Sequence, residues 1–145
     1  FSLLISFLSW GYLVPKISKN VSDAIRLLKF GAPLNLIVLA FIIYLGPKAG
    51  AYHWAFFAVS SVFLSLTQPA VGMAFSLSNA GKALTSFNLL LFIGAFALQW
   101  IIGVIIDLTM NLGYSEISGF RFAMIFFLLT SFFSYLFFLI RNYKN

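Results

Sequence analysis

The sequence predicts an all-α integral membrane protein, a polytopic helical bundle, and three observations carry that prediction. The chain is 62% hydrophobic and only 8% charged, with a mean hydropathy of +1.03. A soluble domain carries about 25% charged residues, so there is too little charge here to solvate a globular surface. Residues 83–106 run without a formal charge. That is roughly 36 Å of helix at 1.5 Å per residue, enough to cross a bilayer core of about 30 Å. Finally, the basic residues fall in short segments between apolar runs, and those segments differ in charge in an alternating way. A net charge of +6 spread like this is no nucleic-acid footprint. The absence of cysteine excludes disulfides and thiolate metal sites.

Residues 1–14 are apolar with Ser2, Ser6 and Ser9 interspersed, and are too short to span alone. They read as a truncated helix of a longer chain, closed by Pro15. Residues 15–29 form the most polar segment, a loop in which Ser22 is expected to cap a short surface helix with Val21, Ile25 and Leu28 on its apolar side. Residues 30–46 make the second span, ended by Gly46-Pro47. Residues 54–77, with Pro69 inside, are the third span, and 83–106 the fourth. A polar loop over 108–119 leads to the fifth span, 122–140, dense in phenylalanine, and the tail is 141–145.

Positive charge orients this series. One set of segments holds Lys16, Lys19, Arg26 and Lys29, then Lys82, then Arg141 and Lys144; the other holds only Lys48 and Arg121. The positive-inside rule therefore puts the 15–29 segment, the Lys82 turn and the C-terminus in the cytoplasm. Tyr52 and Trp54 outside, and Tyr143 inside, suit the two interfaces.

At about 100° per residue, Asn88 and Gln99 of the fourth span lie within about 20° of each other. In the third span Trp54, Ser61, Ser65, Gln68 and Gly72 share a stripe about 60° wide. An amide in hydrocarbon is costly unless partnered, so Gln68, Asn88 and Gln99 either line a polar cavity or pair between helices. Ser61 and Ser65 taken alone read as packing positions before ligand contacts. Spans two and five look mostly lipid-facing: Asn35 is a lone amide, and Thr130, Ser131 and Ser134 can bond back to their own backbone. His53, Asp107, Glu116 and Arg121 lie at span ends or in loops. The acids Asp23, Asp107 and Glu116 fall on different sides, and there is one histidine, so no acid/base pair, metal set or cofactor motif is present.

Several strings together resemble the C-terminal part of a bacterial major facilitator superfamily transporter. They are Trp10-Gly11-Tyr12-Leu13-Val14-Pro15-Lys16, Gln68-Pro69-Ala70-Val71-Gly72, Gly81-Lys82-Ala83-Leu84 with Asn88, and Gln99 with Gly103 and Asp107. The resemblance implies family helices eight to twelve, a partial C-terminal half whose partner is the N-terminal half of the same chain. It also implies helices ten and eleven, here spans three and four, facing a central cavity, with nine and twelve peripheral. The family's loop motif begins at Gly11, but Pro15 stands where its acid is expected. Gly11, Lys16 and Lys82 are then the loop gating candidates.

The expectation is a secondary transporter in a bacterial inner membrane, moving a small solute by alternating access and acting without cofactor or metal. Substrate-path candidates are Gln68, Asn88, Gln99, Ser61, Ser65 and Trp54. The competing readings are a membrane-embedded enzyme or lipid-handling protein with its active groups elsewhere, and a non-transporting scaffold.

Overall fold

The computed structural model describes residues 2–17 and 20–142, with the side chains of residues 2, 3, 7, 11, 14, 15 and 17 aside. Lys19, Tyr143 and Lys144 lie outside the described residues. All regular structure among the described residues is helical: α1 (Ser2–Ile17), α2 (Val21–Leu45), α3 (Ala51–Ser61), α4 (Thr67–Ala74), α5 (Leu77–Asn111) and α6 (Glu116–Arg141). Short 3-10 segments cover Gly46–Lys48 and Val62–Leu66.

The chain is all-α, with four helices long and apolar enough to cross a membrane: Val21–Lys48, Ala51–Ala74, Leu77–Asn111 and Glu116–Arg141. Their outward surface is apolar; Leu77 is 99% exposed, Phe96 73% and Phe137 63%. Bare phenylalanine and leucine on this scale are tolerated where hydrocarbon is the solvent, which marks an integral membrane protein.

Several boundaries differ from the sequence reading, each for a local reason. The first helix runs through Pro15 to Ile17 rather than closing at Pro15. The expected loop over 15–29 is largely helix: the surface helix and the second span are one continuous α2. Its cap is Asn20 rather than Ser22, with the Asn20 side chain accepting the Asp23 N–H at 2.9 Å. Pro33 sits inside α2 without ending it. The third span is not one helix but α3, a 3-10 turn and α4, and it ends at Ala74 rather than residue 77. The fourth starts six residues earlier than expected and absorbs the polar segment around Lys82.

The expected 108–119 loop shrinks to four residues. Helix α5 ends in a Schellman closure: Tyr114 N–H bonds the Thr109 carbonyl (3.1 Å) and Gly113 N–H the Met110 carbonyl (2.9 Å). Gly113 takes φ +86°, a left-handed conformation that glycine adopts without Cβ strain. Ser115 then caps α6 by accepting the Ser118 N–H (3.3 Å).

Helix α2 is the centre of the bundle. Its buried residues Ala24, Leu28, Gly31, Asn35, Val38, Leu39 and Ile42 recur at helical spacing. The expectation that span two faces mostly lipid is therefore corrected. Only its opposite stripe, with Phe30, Ile37, Phe41 and Tyr44, is exposed. The third span runs antiparallel along the buried face, since Asn35 meets Phe57 and Ser60, and Gly31 lies against Phe63. Phe63 in turn takes the edge of Trp10 at 4.8 Å, which ties α1 to the same layer. Helix α6 packs on α2 at the basic end, where Tyr135 hydroxyl donates to the Lys29 carbonyl and Lys29 ammonium to the Asn142 carbonyl, both at 2.8 Å. That ammonium satisfies an orphan carbonyl at the end of α6 and opposes the negative end of its dipole. Helix α5 packs on α4 near its start and on α6 near its end, and none of its residues is buried.

Candidate functional site

The helices enclose a partly open cavity of about 770 Å³ between α2, the third span and α6. Each wall follows from the geometry of its helix. From α2 come Leu28, Ala32, Asn35 and Leu36, one stripe at α-helical spacing. From α6 come Phe127, Thr130, Ser131, Ser134, Tyr135 and Phe138, again at α-helical spacing. The third span contributes Phe57, Ser61, Leu64 and Thr67, and Leu98 of α5 closes one side.

The third-span wall carries the main lesson about the predicted stripe. From Ser61 onward its lining residues recur every three positions, the period of a 3-10 helix, because Val62–Leu66 is one. A 3-10 helix turns about 120° per residue rather than about 100°, so five residues rotate everything downstream by roughly 100°. Ser61 therefore faces the cavity while Ser65 and Gln68, expected on the same stripe, do not line it. Pro69 adds to the break, because it offers no N–H to the Ser65 carbonyl one turn back.

Of the substrate-path candidates, only Ser61 is in the cavity wall. Gln68 and Asn88 are brought together elsewhere: Gln68 Nε2 donates to Asn88 Oδ1 at 3.3 Å, joining α4 to α5. Gln99 shares the Asn88 face of α5 but lies about 16 Å further along it at 1.5 Å per residue, and is exposed. Ser65 bonds back to the Val62 carbonyl at 2.6 Å. Trp54 is exposed near the start of α3 and meets the Phe57 ring edge-on at 6.2 Å. Among the gating candidates, Gly11 lies within α1, Lys16 places its ammonium 3.7 Å from the Tyr12 ring centre, and Lys82 is exposed in the second turn of α5.

The cavity's polar groups come mostly from α2 and α6, the helices expected to face lipid. Asn35 spends both amide hydrogens, on Ser60 Oγ (2.9 Å) and the Phe57 carbonyl (3.4 Å). Ser61 donates to the Ala58 carbonyl (2.8 Å) and Thr67 to that of Leu64 (2.7 Å). Thr130 donates to the Phe126 and Phe127 carbonyls (3.1 and 3.0 Å), and Tyr135 to that of Lys29 (2.8 Å). No lining residue carries a charge at neutral pH. A signal was present in the sequence: Thr130, Ser131, Ser134 and Tyr135 fall on one side of the fifth span, within about 140° of arc.

The fold and this cavity define a class, an α-helical membrane bundle with a largely apolar internal cavity. No protein-family model matches the chain, and no curated protein or solved structure matches it significantly.

Proposed function

We propose that the chain is part of a secondary transporter that carries a small solute across a bacterial plasma membrane by alternating access, in the manner of the major facilitator superfamily. The observation that supports this most is the cavity of about 770 Å³ at the centre of membrane-crossing helices, with one wall built from a broken helix. Backbone that departs from the α-helix at membrane depth is tolerated where it is packed in protein or lines a cavity, and broken helices are a recurring feature of transporter binding sites. On this reading the basic ends of the helices are cytoplasmic, and the second half of the path is an N-terminal bundle of the same protein. The chain acts as a carrier rather than an enzyme, with the bilayer and the solute as its partners.

The test is uptake by the full-length protein in proteoliposomes against a panel of neutral, cationic and anionic solutes. Filling the cavity with Ala32→Phe is expected to lower uptake of the transported solute at least tenfold, while Phe133→Ala on the exposed side of α6 leaves it unchanged. Uptake indifferent to Ala32→Phe, or absent for every solute, would remove the cavity from any transport path.

A further inference from the structure

The hydrogen-bond inventory of the cavity has a sign. Five of its polar side chains have already spent their hydrogens on the protein: Asn35, Ser61, Thr67, Thr130 and Tyr135. What each leaves is oxygen lone pairs. The Asn35 Oδ1 meets no donor among the described residues, and the four hydroxyl oxygens each retain acceptor capacity. Only Ser131 and Ser134 keep hydroxyls without a hydrogen bond among the described residues, free to donate or to accept. The wall is thus rich in acceptors and poor in donors.

Resting on the carrier reading of this cavity, we infer that its ligand is an uncharged, mostly apolar molecule that supplies hydrogen-bond donors, such as an alcohol, a phenol or an N–H compound. The apolar body matches the four leucines and three phenylalanines of the wall. The donors match the unspent oxygens of Asn35, Ser61 and Thr130. A carboxylate or phosphate brings only acceptors, and would meet lone pairs on five groups against two free hydroxyls. No carboxylate lines the cavity to balance a cation, and Lys29, which accepts the Tyr135 hydroxyl through its carbonyl, is not part of the wall. Buried charge without a partner is the costliest thing a site can hold, so both ionic classes are selected against.

The experiment is equilibrium binding of three radiolabelled probes of matched ring size to the full-length protein in nanodiscs, corrected for empty nanodiscs. The probes are 1-naphthol, 1-methoxynaphthalene and 1-naphthoate. Saturable naphthol binding is expected, with the methyl ether about tenfold weaker for loss of its donor and the carboxylate without saturable binding. Thr130→Val, nearly isosteric, is expected to reduce the naphthol preference, Thr130→Ser to retain it, and Ala32→Phe to abolish binding. Equal affinity for naphthol and its ether, binding of naphthoate as tight as naphthol, or binding untouched by Ala32→Phe would each overturn the inference. So would the lack of saturable binding of any probe to protein that is helical and monodisperse. Discriminating binding without uptake of any solute would leave the ligand class standing and remove the transport reading. Uptake without this discrimination would do the reverse.

Discussion

Asn35 is the residue that links the core of the bundle to its cavity. It is 9% exposed, and its amide hydrogens tie α2 to the third span through Ser60 Oγ and the Phe57 carbonyl. Asn35→Leu takes one donor from Ser60 Oγ, which still donates to the Phe57 carbonyl at 2.9 Å, and is expected to destabilise by about 0.5–1.5 kcal/mol, the net worth of a lost hydrogen bond. Ser60→Ala removes the same link from the other side. The double variant should therefore cost less than the sum of the two, measured by thermal unfolding in detergent. Additive costs would mean that the two groups do not interact. Gly31 is a second sensitive position. A Cβ there would collide with Phe63 Cγ and stand 2.6 Å from Phe63 Cβ, a part of the side chain that cannot swing away. Gly31→Ala is thus expected to pry the third span from α2 at a cost of about 1–3 kcal/mol. An unchanged melting temperature would show that the two helices can separate freely. Asn35 was visible in the sequence as a lone amide in an apolar span. Its partner was not, because a helical angle gives the direction of a side chain but not which helix it meets.

At the scale of elements, the sequence revealed the helices well and their rotation poorly. Charge-free length and Gly-Pro punctuation located the membrane-crossing segments, because lipid imposes those constraints on sequence directly. The third span defeated the angular reading because its 3-10 turn, Val62–Leu66, has no signature that overrides a uniform 100° step. The result separates Ser61, in the cavity, from Gln68, which turns to Asn88. Cysteine cross-linking can check this directly, since the native chain has no cysteine to interfere. Gln68→Cys with Asn88→Cys is expected to form a disulfide under mild oxidation. Gln68→Cys with Gln99→Cys is not, because about 16 Å along α5 far exceeds the roughly 7 Å Cα separation that a disulfide bridges. A Gln68–Gln99 disulfide without a Gln68–Asn88 one would overturn the pairing of Gln68 with Asn88.

For the whole molecule, the decisive matter is whether the third span crosses. It is the least apolar of the four candidates, with a mean hydropathy of 1.4 against 2.5 for Leu77–Asn111. Every assignment of side beyond it depends on that crossing: were it to turn back, Lys82 would join Lys48 and the charge asymmetry would dissolve. Packing argues for a full crossing. The span lies antiparallel to α2 from Phe57 near Asn35 to Phe63 near Gly31, and its broken region is held by contacts on both sides, Trp10 and Gly31. Single cysteines at Gly50, Ser78 and Tyr114 replace exposed residues in the turns, or at the helix start, between successive candidate spans. With a membrane-impermeant maleimide added to intact cells, Gly50→Cys and Tyr114→Cys are expected to label, and Ser78→Cys only after the membrane is opened. Labelling of Gly50→Cys and Ser78→Cys from outside, with Tyr114→Cys protected, would mean that the third span does not cross. Labelling of Ser78→Cys alone would keep the crossing but invert the orientation read from the lysines. Because the positive-inside bias and the packing are independent, only the expected pattern satisfies both.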